Sequence, residues 1–250
     1  MIITLLTDFG TADGYVGEMK GVLLSLAPEA RLVDISHDVE PQDIERARLA
    51  IARFWRRFPA GTVHLVVVDP GVGTARRAIA VASDGRFLVG PDNGVLSPAL
   101  LVRGARVVSL ATPSHSSSTF HGRDVFAPAA ALLATGTSLD SLGPSVDDPI
   151  VRRTPETTRL PDGTIVGQVI NTDRFGTLVT NLVAPRGGSV EIAGHSVGAL
   201  KRTYADVPSG ALLALIGSSG LVEIAVRDGS AARELAVGRG ARVLLRPAHG

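Results

Sequence analysis

Residues 63–76 read VHLVVVDPGVGTAR, an almost unbroken apolar run followed by a glycine-rich segment. An apolar run without polar alternation is typical of a strand buried on both faces, as strands inside a parallel sheet are. Pro70, Gly71 and Gly73 then specify a rigid turn. The stretch therefore predicts a central strand of an α/β sheet, with a turn at its carboxyl end.

Shorter apolar runs alternate with helical patterns on both sides of this strand. The predicted strands are 2–6, 31–35, 63–68, 78–82, 87–89 and 107–110, and the predicted helices are 16–26, 41–55 and 124–134. Strands that alternate with helices are typical of a sheet covered by helices. We therefore expect residues 1–150 to form an α/β domain with a mostly parallel sheet.

The rest of the chain has a different pattern. Residues 151–162 contain prolines and scattered polar residues without a period, which is typical of a linker. From residue 163 to residue 250, short apolar runs are separated by glycines every 8 to 12 residues or so. This spacing predicts an all-β domain, resembling a small antiparallel barrel.

Composition excludes several classes of protein. The 250 residues include no cysteine, which excludes disulfides, thiolate metal sites and a cysteine nucleophile. With 25 basic and 24 acidic residues and few aromatic ones, a nucleic-acid partner is disfavoured. No apolar run reaches membrane-spanning length, so we expect a soluble cytoplasmic protein. None of the six histidines has a metal-binding spacing, so no metal site is expected.

Two aspartates directly follow predicted strands, where ligands of open α/β sheets bind. Asp8 follows the first strand and Asp69 follows the run at 63–68. Arg76 lies seven residues after Asp69, close enough for the turn to bring it back to the carboxylate. Each aspartate could instead cap a helix or brace a loop, and a purely structural ion pair would have the same spacing.

His121 is the histidine with the most suggestive surroundings. It lies in TFHGRDVFAP, residues 119–128, where an HG step precedes a predicted helix. Loops at helix N-termini often carry chemistry, although a lone histidine is more often a core or capping residue. The residue is therefore a candidate for the site.

Five motifs together resemble the S-adenosyl-L-methionine (SAM) hydroxide adenosyltransferase family, which is related to the SAM-dependent fluorinase and chlorinase. They are LLTDFG at 5–10, VDPGVG at 68–73 followed by Arg76, GPDNG at 90–94, TFHGRD at 119–124 and DRFGTLVTN at 173–181. The resemblance spans nearly the whole chain. It implies an N-terminal α/β domain, a C-terminal β-barrel, and a homotrimer with active sites between subunits. It also implies hydrolysis of SAM at C5′ to adenosine and L-methionine, with SAM as substrate and no cofactor.

By this resemblance, Asp69, Arg76 and His121 match the triad that marks the water-using members. Arginine does not deprotonate in proteins, so Arg76 would stabilise developing hydroxide while His121 or Asp69 receives or orients the proton. A halide needs no base. Three ionisable residues at these places therefore favour water as the nucleophile.

The resemblance also implies a set of substrate-binding residues. Asp8 matches the carboxylate that binds the ribose hydroxyls, Asp173 the partner of the methionine ammonium, Phe175 the aromatic beside adenine, and Ser218 a contact of the amino-acid end.

The chain departs from the family pattern at two positions of this binding half. Thr177 stands where the family commonly has asparagine, and Ser219 where the fluorinase has an arginine. Each replacement offers fewer hydrogen-bonding groups to adenine or to the methionine carboxylate. We therefore expect weaker adenine recognition through Thr177 and weaker binding of the methionine carboxylate through Ser219.

Two other functions fit the same residues. A chlorinase would form 5′-chloro-5′-deoxyadenosine at high chloride concentration. A protein that binds SAM or adenosine without significant catalysis would fit the departures at Thr177 and Ser219.

Overall fold

The first compact unit of the chain, Met1–Arg153, contains one six-stranded sheet. A computed structural model describes residues 1–183 and 187–248 of the chain. The strands of this sheet are β1 (Ile2–Thr7), β2 (Arg31–Ser36), β3 (Val63–Val67), β4 (Ala78–Ser83), β5 (Arg86–Pro91) and β6 (Arg106–Leu110). Their order across the sheet is β2-β1-β3-β5-β4-β6.

The sheet is mixed, which corrects the prediction of a mostly parallel one. β1 pairs in parallel with β2 and β3, and β3 with β5, whereas β4 is antiparallel to both β5 and β6. The reason is the connection between β4 and β5. Only Asp84 and Gly85 join them, both with positive φ, and a two-residue turn of this kind can join only antiparallel strands.

Helices cover both faces of this sheet. They are α1 (Tyr15–Leu26), α2 (Ile44–Phe54), the single turn α3 (Ser97–Leu100) and α4 (Ala127–Ala134). Buried residues of α1 and α4 pack with β1, β3 and β5 in one apolar cluster, and those of α2 and α3 pack in a second cluster on the other face. Alternate residues of β3 enter the two clusters, as expected for a strand buried on both faces.

The second compact unit, Thr154–Gly250, is built from antiparallel strands. They are β7 (Thr158–Arg159), β8 (Ile165–Thr172), β9 (Leu178–Val183), β10 (Gly188–Ile192), β11 (His195–Ala199), β12 (Leu212–Ile216), β13 (Leu221–Val226) and β14 (Arg242–Pro247), with the short helix α5 (Ala231–Glu234). The order is β11-β10-β14-β8-β9-β13-β12, and β7 pairs with β8. A bridge between Lys201 and Leu215 joins the chain after β11 to β12, so the sheet is nearly closed and barrel-like.

Residues 151–162, predicted as a linker, take part in both units. The backbone N–H of Arg152 donates to Ser97 Oγ at 2.8 Å within the first unit, and β7 lies in the second. Among the described residues, every helix is too short or too polar to span a membrane.

Candidate active site

Asp69 and Arg76 form a buried ion pair at the carboxyl end of β3. Arg76 Nε donates to both carboxylate oxygens, at 2.9 and 3.0 Å, and Nη2 donates to Oδ2 as well. Their side chains are only 5% and 10% exposed. The guanidinium also lies 5.1 Å from the centre of the buried Phe126 ring. Packing and hydrogen bonds together therefore fix the position of the charge on Arg76.

The turn between these two residues is compact, as its proline and two glycines predict. Backbone N–H groups of Val72 and Thr74 donate to the carbonyls of Asp69 and Gly71, both at 3.2 Å. Gly73 has φ +77°, and a Cβ there would lie 2.5 Å from the Ser118 carbonyl oxygen. Glycine is required at this position because the turn crosses the 115–119 loop without room for a side chain.

His121 completes a three-residue cluster with Asp69 and Arg76. Its Nδ1 lies 3.0 Å from Arg76 Nη2, and the residue is 7% exposed. Because arginine is only a donor, this hydrogen bond requires Nδ1 without a proton, which places the ring proton of His121 on Nε2. Burial, followed by the charge of Arg76, lowers the pKa of His121 and favours the same neutral form.

Asp8 lies at the end of β1, next to β3 in the sheet. Thr7 is paired with Val67, so Asp8 and Asp69 follow neighbouring strand ends. Asp8 Oδ2 accepts from the backbone N–H of Gln42 at 2.7 Å. Burial raises the pKa of Asp8, and the charge of Asp69 adds to this rise. The first unit thus brings together Asp8, Asp69, Arg76 and His121.

A second histidine supports the Asp8 loop, and the sequence reasoning missed it. His37 Nδ1 is 2.8 Å from Thr7 Oγ1, and the His37 carbonyl accepts from the Gly10 N–H at 2.8 Å. Its Nε2 lies 3.1 Å from Asp34 Oδ1, although outside hydrogen-bonding geometry. The signal was present, because His37 directly follows β2 at the same edge of the sheet.

In the second unit, Asp173, Phe175 and Thr177 lie in the tight turn between β8 and β9. Asp173 Oδ1 accepts from the backbone N–H groups of Phe175 and Thr177, each at 2.9 Å. Phe175 is 79% exposed, so its ring is accessible to a ligand. Thr177 is buried, and its side chain lies near the Tyr204 phenol.

Ser218 and Ser219 lie exposed in the turn between β12 and β13. The carboxylate of the buried Glu223 packs against Gly217 at the start of this turn. Burial raises the pKa of Tyr204, and the charges of Glu223 and Asp173 act in the same direction. Tyr204 therefore lies within electrostatic reach of both turns of the second unit.

No group of three His, Asp or Glu side chains in residues 1–183 and 187–248 is arranged to hold a metal ion. The arrangement in the first unit offers instead a fixed cation, a carboxylate and a neutral imidazole with its N–H free of the ion pair. Such a set can hold a small polar reactant and accept a proton from it.

The fold and the cluster define the class of protein: a two-unit chain with a mixed α/β sheet that carries an Asp–Arg–His cluster, followed by an antiparallel barrel-like unit. Two domain profiles identify the particular family. The SAM hydroxide adenosyltransferase N-terminal domain matches residues 3–143, and the C-terminal domain of the same family matches residues 167–244. The chain belongs to the SAM hydroxide adenosyltransferase family.

Individual relatives are similar over most of the chain. An (R)-S-adenosyl-L-methionine hydrolase from Thermus thermophilus is 43% identical over 257 residues, covering 97% of this chain and 98% of the relative. A fluorinase from Actinoplanes is 31% identical over 212 residues, covering 72% and 71%. The crystal structure of an uncharacterized conserved protein from Thermotoga maritima superimposes with a TM-score of 0.88 at 33% identity, covering 98% of this chain and 100% of that one.

Proposed function

We propose that this protein hydrolyses S-adenosyl-L-methionine at C5′, giving adenosine and L-methionine. The family and the relatives named SAM hydrolases support this function. The single observation that carries it within the structure is the buried cluster of Asp69, Arg76 and His121. Three ionisable groups held together at a strand end suit a water nucleophile better than a halide, which has no proton to lose.

The reaction is a displacement at carbon. The water oxygen forms a bond to C5′, the bond from C5′ to the sulfonium breaks, and its electron pair stays on the sulfur of methionine. One proton of the water is released. Water is a poor nucleophile, with a pKa of about 15.7, but it becomes strongly acidic as the new C–O bond forms. A carboxylate close to the water is therefore a sufficient base.

The hydrogen bonds of the cluster assign a task to each residue. Arg76 occupies Nδ1 of His121, so the Nε2 proton of His121 is the group that can donate to the oxygen of water. Asp69 then remains as the proton acceptor. Arg76 stabilises negative charge that develops on the water and on Asp69 before the transfer is complete.

We assign the substrate contacts by the same proposal. Asp8 binds the ribose hydroxyls, Asp173 the methionine ammonium, Phe175 the adenine ring and Ser218 the amino-acid end. Thr177 is buried and has a single hydroxyl, so it contributes little to adenine recognition, and Ser219 replaces an arginine with a short hydroxyl. The first unit would supply water activation and the second the adenine and methionine contacts.

Incubation of the purified protein with SAM tests this function. We expect adenosine and methionine in equal amounts, measured by chromatography and mass spectrometry. Asp69→Asn and His121→Ala should lower kcat by about 100- to 10,000-fold while SAM still binds in calorimetry. Asp140→Asn, which removes the exposed ion pair with Arg106, is the matched control and should keep full activity.

Each other outcome has a clear meaning. Full turnover in both variants would show that the cluster is not catalytic. Tight SAM binding by the native protein without product would indicate a binding protein, and 5′-chloro-5′-deoxyadenosine at high chloride concentration would indicate a chlorinase.

A further inference from the structure

Residues 68–77 connect β3 to β4 and carry Asp69 and Arg76; we call them the catalytic loop. The PDNG turn at 91–94 lies between the two ends of this loop. β5, which leads into this turn, is the sheet neighbour of both β3 and β4. β3 ends just before Asp69 and β4 begins just after Arg76, so the connection from β3 to β4 passes over the end of β5. The residues that follow β5 are therefore directly beneath the loop that carries the ion pair.

Asn93 holds the first end of that loop. Its Nδ2 donates to the carbonyl of Val68, the residue before Asp69, at 2.9 Å. Its Oδ1 accepts from the Val95 N–H at 3.1 Å, which fixes the amide orientation. The carbonyl of Asn93 accepts from Arg152 Nε at 2.8 Å. The side chain thus links a rigid turn to the backbone next to Asp69.

Asp92 holds the second end. Its buried Oδ2 accepts from Nε of Arg77, the residue after Arg76, at 2.8 Å, and its backbone N–H donates to the Arg77 carbonyl at 2.9 Å. Oδ1 accepts from the Ile150 N–H at 2.7 Å. Arg77 is further held by Asp148, whose Oδ1 lies 2.6 Å from Nη1. Both flanks of the catalytic loop are therefore bound to adjacent residues of one turn.

We infer that Asn93 and Asp92 are positioning residues for the hydrolysis, because they set the distance between the two ends of the loop that presents Asp69 and Arg76 to His121. This inference rests on the proposed function. Neither residue contacts the cluster directly. Their effect is on the geometry of attack, where a displacement of about 1 Å can cost on the order of 100-fold in rate.

Asn93→Asp is the sharpest test. The carboxylate is the same size as the amide and keeps an oxygen for the Val95 N–H, but it loses the donor to the Val68 carbonyl. We expect kcat to fall about 10- to 100-fold with KM changed by less than about threefold. Asn93→Ser, which is neutral, should behave alike and separates the lost donor from the added charge. Asp92→Asn weakens the hydrogen bond to Arg77 at the other end of the loop. It should likewise lower kcat with little change in KM.

Ser83→Ala is the matched structural control. Ser83 is buried in β4, and its hydroxyl donates to the Ala99 carbonyl at 2.9 Å, away from the loop. Thermal unfolding of all variants shows the stability cost, and kcat of Ser83→Ala should stay native. If the Asn93 and Asp92 variants lose only stability, as this control does, the inference is wrong. If Asn93→Asp does not fold, Asn93→Ser and Asp92→Asn decide.

A second readout does not depend on turnover. NMR titration of His121 should show its pKa rising toward the ordinary value in Asn93→Ser, which adds no charge, since burial and the nearby Arg76 lower it in the native protein. An unchanged titration together with native kcat overturns the inference. If the native protein does not turn over SAM, the proposed function is wrong. The His121 titration would then still test whether Asn93 and Asp92 position the catalytic loop.

Discussion

Two buried histidines of the first unit owe their neutral state to different surroundings. His121 is neutral because Arg76 donates to it and burial disfavours its charged form. His64, inside β3, is completely buried in edge contact with the rings of Phe54 and Phe58, and its Nδ1 lies 2.7 Å from Thr4 Oγ1. Burial lowers the pKa of His64 to about 4.

The free energy of unfolding should therefore fall with acidification through His64. In the unfolded chain this histidine takes up a proton near pH 6.5, whereas in the folded chain it does so only near pH 4. Between these values the unfolded state binds more protons, so stability falls as pH falls, by about 3 kcal/mol over the window. Urea unfolding at several pH values measures it.

His64→Gln, which keeps a polar group toward Thr4, is the comparison. Its unfolding free energy should depend less on pH between 6.5 and 4 than that of the native protein, because the other titrating groups are shared by both. Parallel curves would contradict the assignment of this pH dependence to His64.

Single residues of the site could be predicted where position along a strand determines their place. Asp8 and Asp69 directly follow strands. The spacing of Arg76 predicted that it folds back onto Asp69, and in the structure the two side chains are hydrogen-bonded. His37 obeys the same rule but was missed, because its contact with Thr7 joins β1 to the end of β2, 30 residues away in the sequence. Asn93 belongs to the GPDNG motif, but its hydrogen bond to the Val68 carbonyl could not be predicted, because it depends on β5 lying next to β3.

At the level of elements, two of the hairpin turns of the second unit place glycines in the same left-handed backbone conformation. Gly163, between β7 and β8, and Gly176, between β8 and β9, both have φ +84°. A Cβ at Gly163 meets open space, whereas a Cβ at Gly176 would overlap the side chain of Ser230. The Gly176 carbonyl also accepts from the Ala232 N–H at 3.0 Å, so this turn packs on α5.

This pair predicts a difference in stability between two alanine variants. Gly163→Ala should cost about 1 kcal/mol, because alanine disfavours positive φ. Gly176→Ala should cost a further 1 to 3 kcal/mol or so, because the overlap forces Ser230 and α5 to move. Urea unfolding compares the two, and equal losses would mean that the contact with Ser230 is relieved without cost. If Phe175 contacts adenine, Gly176→Ala should also raise KM.

The sheet order of the first unit shows what element prediction lacked. All six strands were predicted close to their places, since their apolar runs are local signals. The antiparallel pairing of β4 and β5 was encoded in Asp84 and Gly85, a pair that favours a two-residue hairpin turn. The position of β5 between β3 and β4 depends on contacts between strands that are distant in the sequence. No run or turn in the sequence specifies it.

For the whole molecule, we propose a homotrimer whose active sites form between subunits. The support is the family to which the chain belongs. Light scattering coupled to size exclusion should give a mass about three times the 25.9 kDa of one chain. A mass equal to one chain at concentrations where SAM turns over would contradict both the trimer and the shared site.

Composition alone set limits on the chemistry of the whole molecule without identifying it. A chain without cysteine and with a net charge of +1 has no thiol chemistry and no strong field to attract a large charged partner. Both properties suit an enzyme of a small cationic substrate. The reaction itself depends on a few side chains at one edge of the sheet.

In the proposed reaction, the oxygen of a water molecule attacks C5′ of SAM. The most direct measurement is turnover in water enriched in oxygen-18, with the products analysed by mass spectrometry. We expect adenosine that carries one heavy oxygen at its 5′ hydroxyl, methionine without label, and a strongly reduced rate for Asp69→Asn. Adenosine without label, or no adenosine at all from a folded protein that binds SAM, would contradict it.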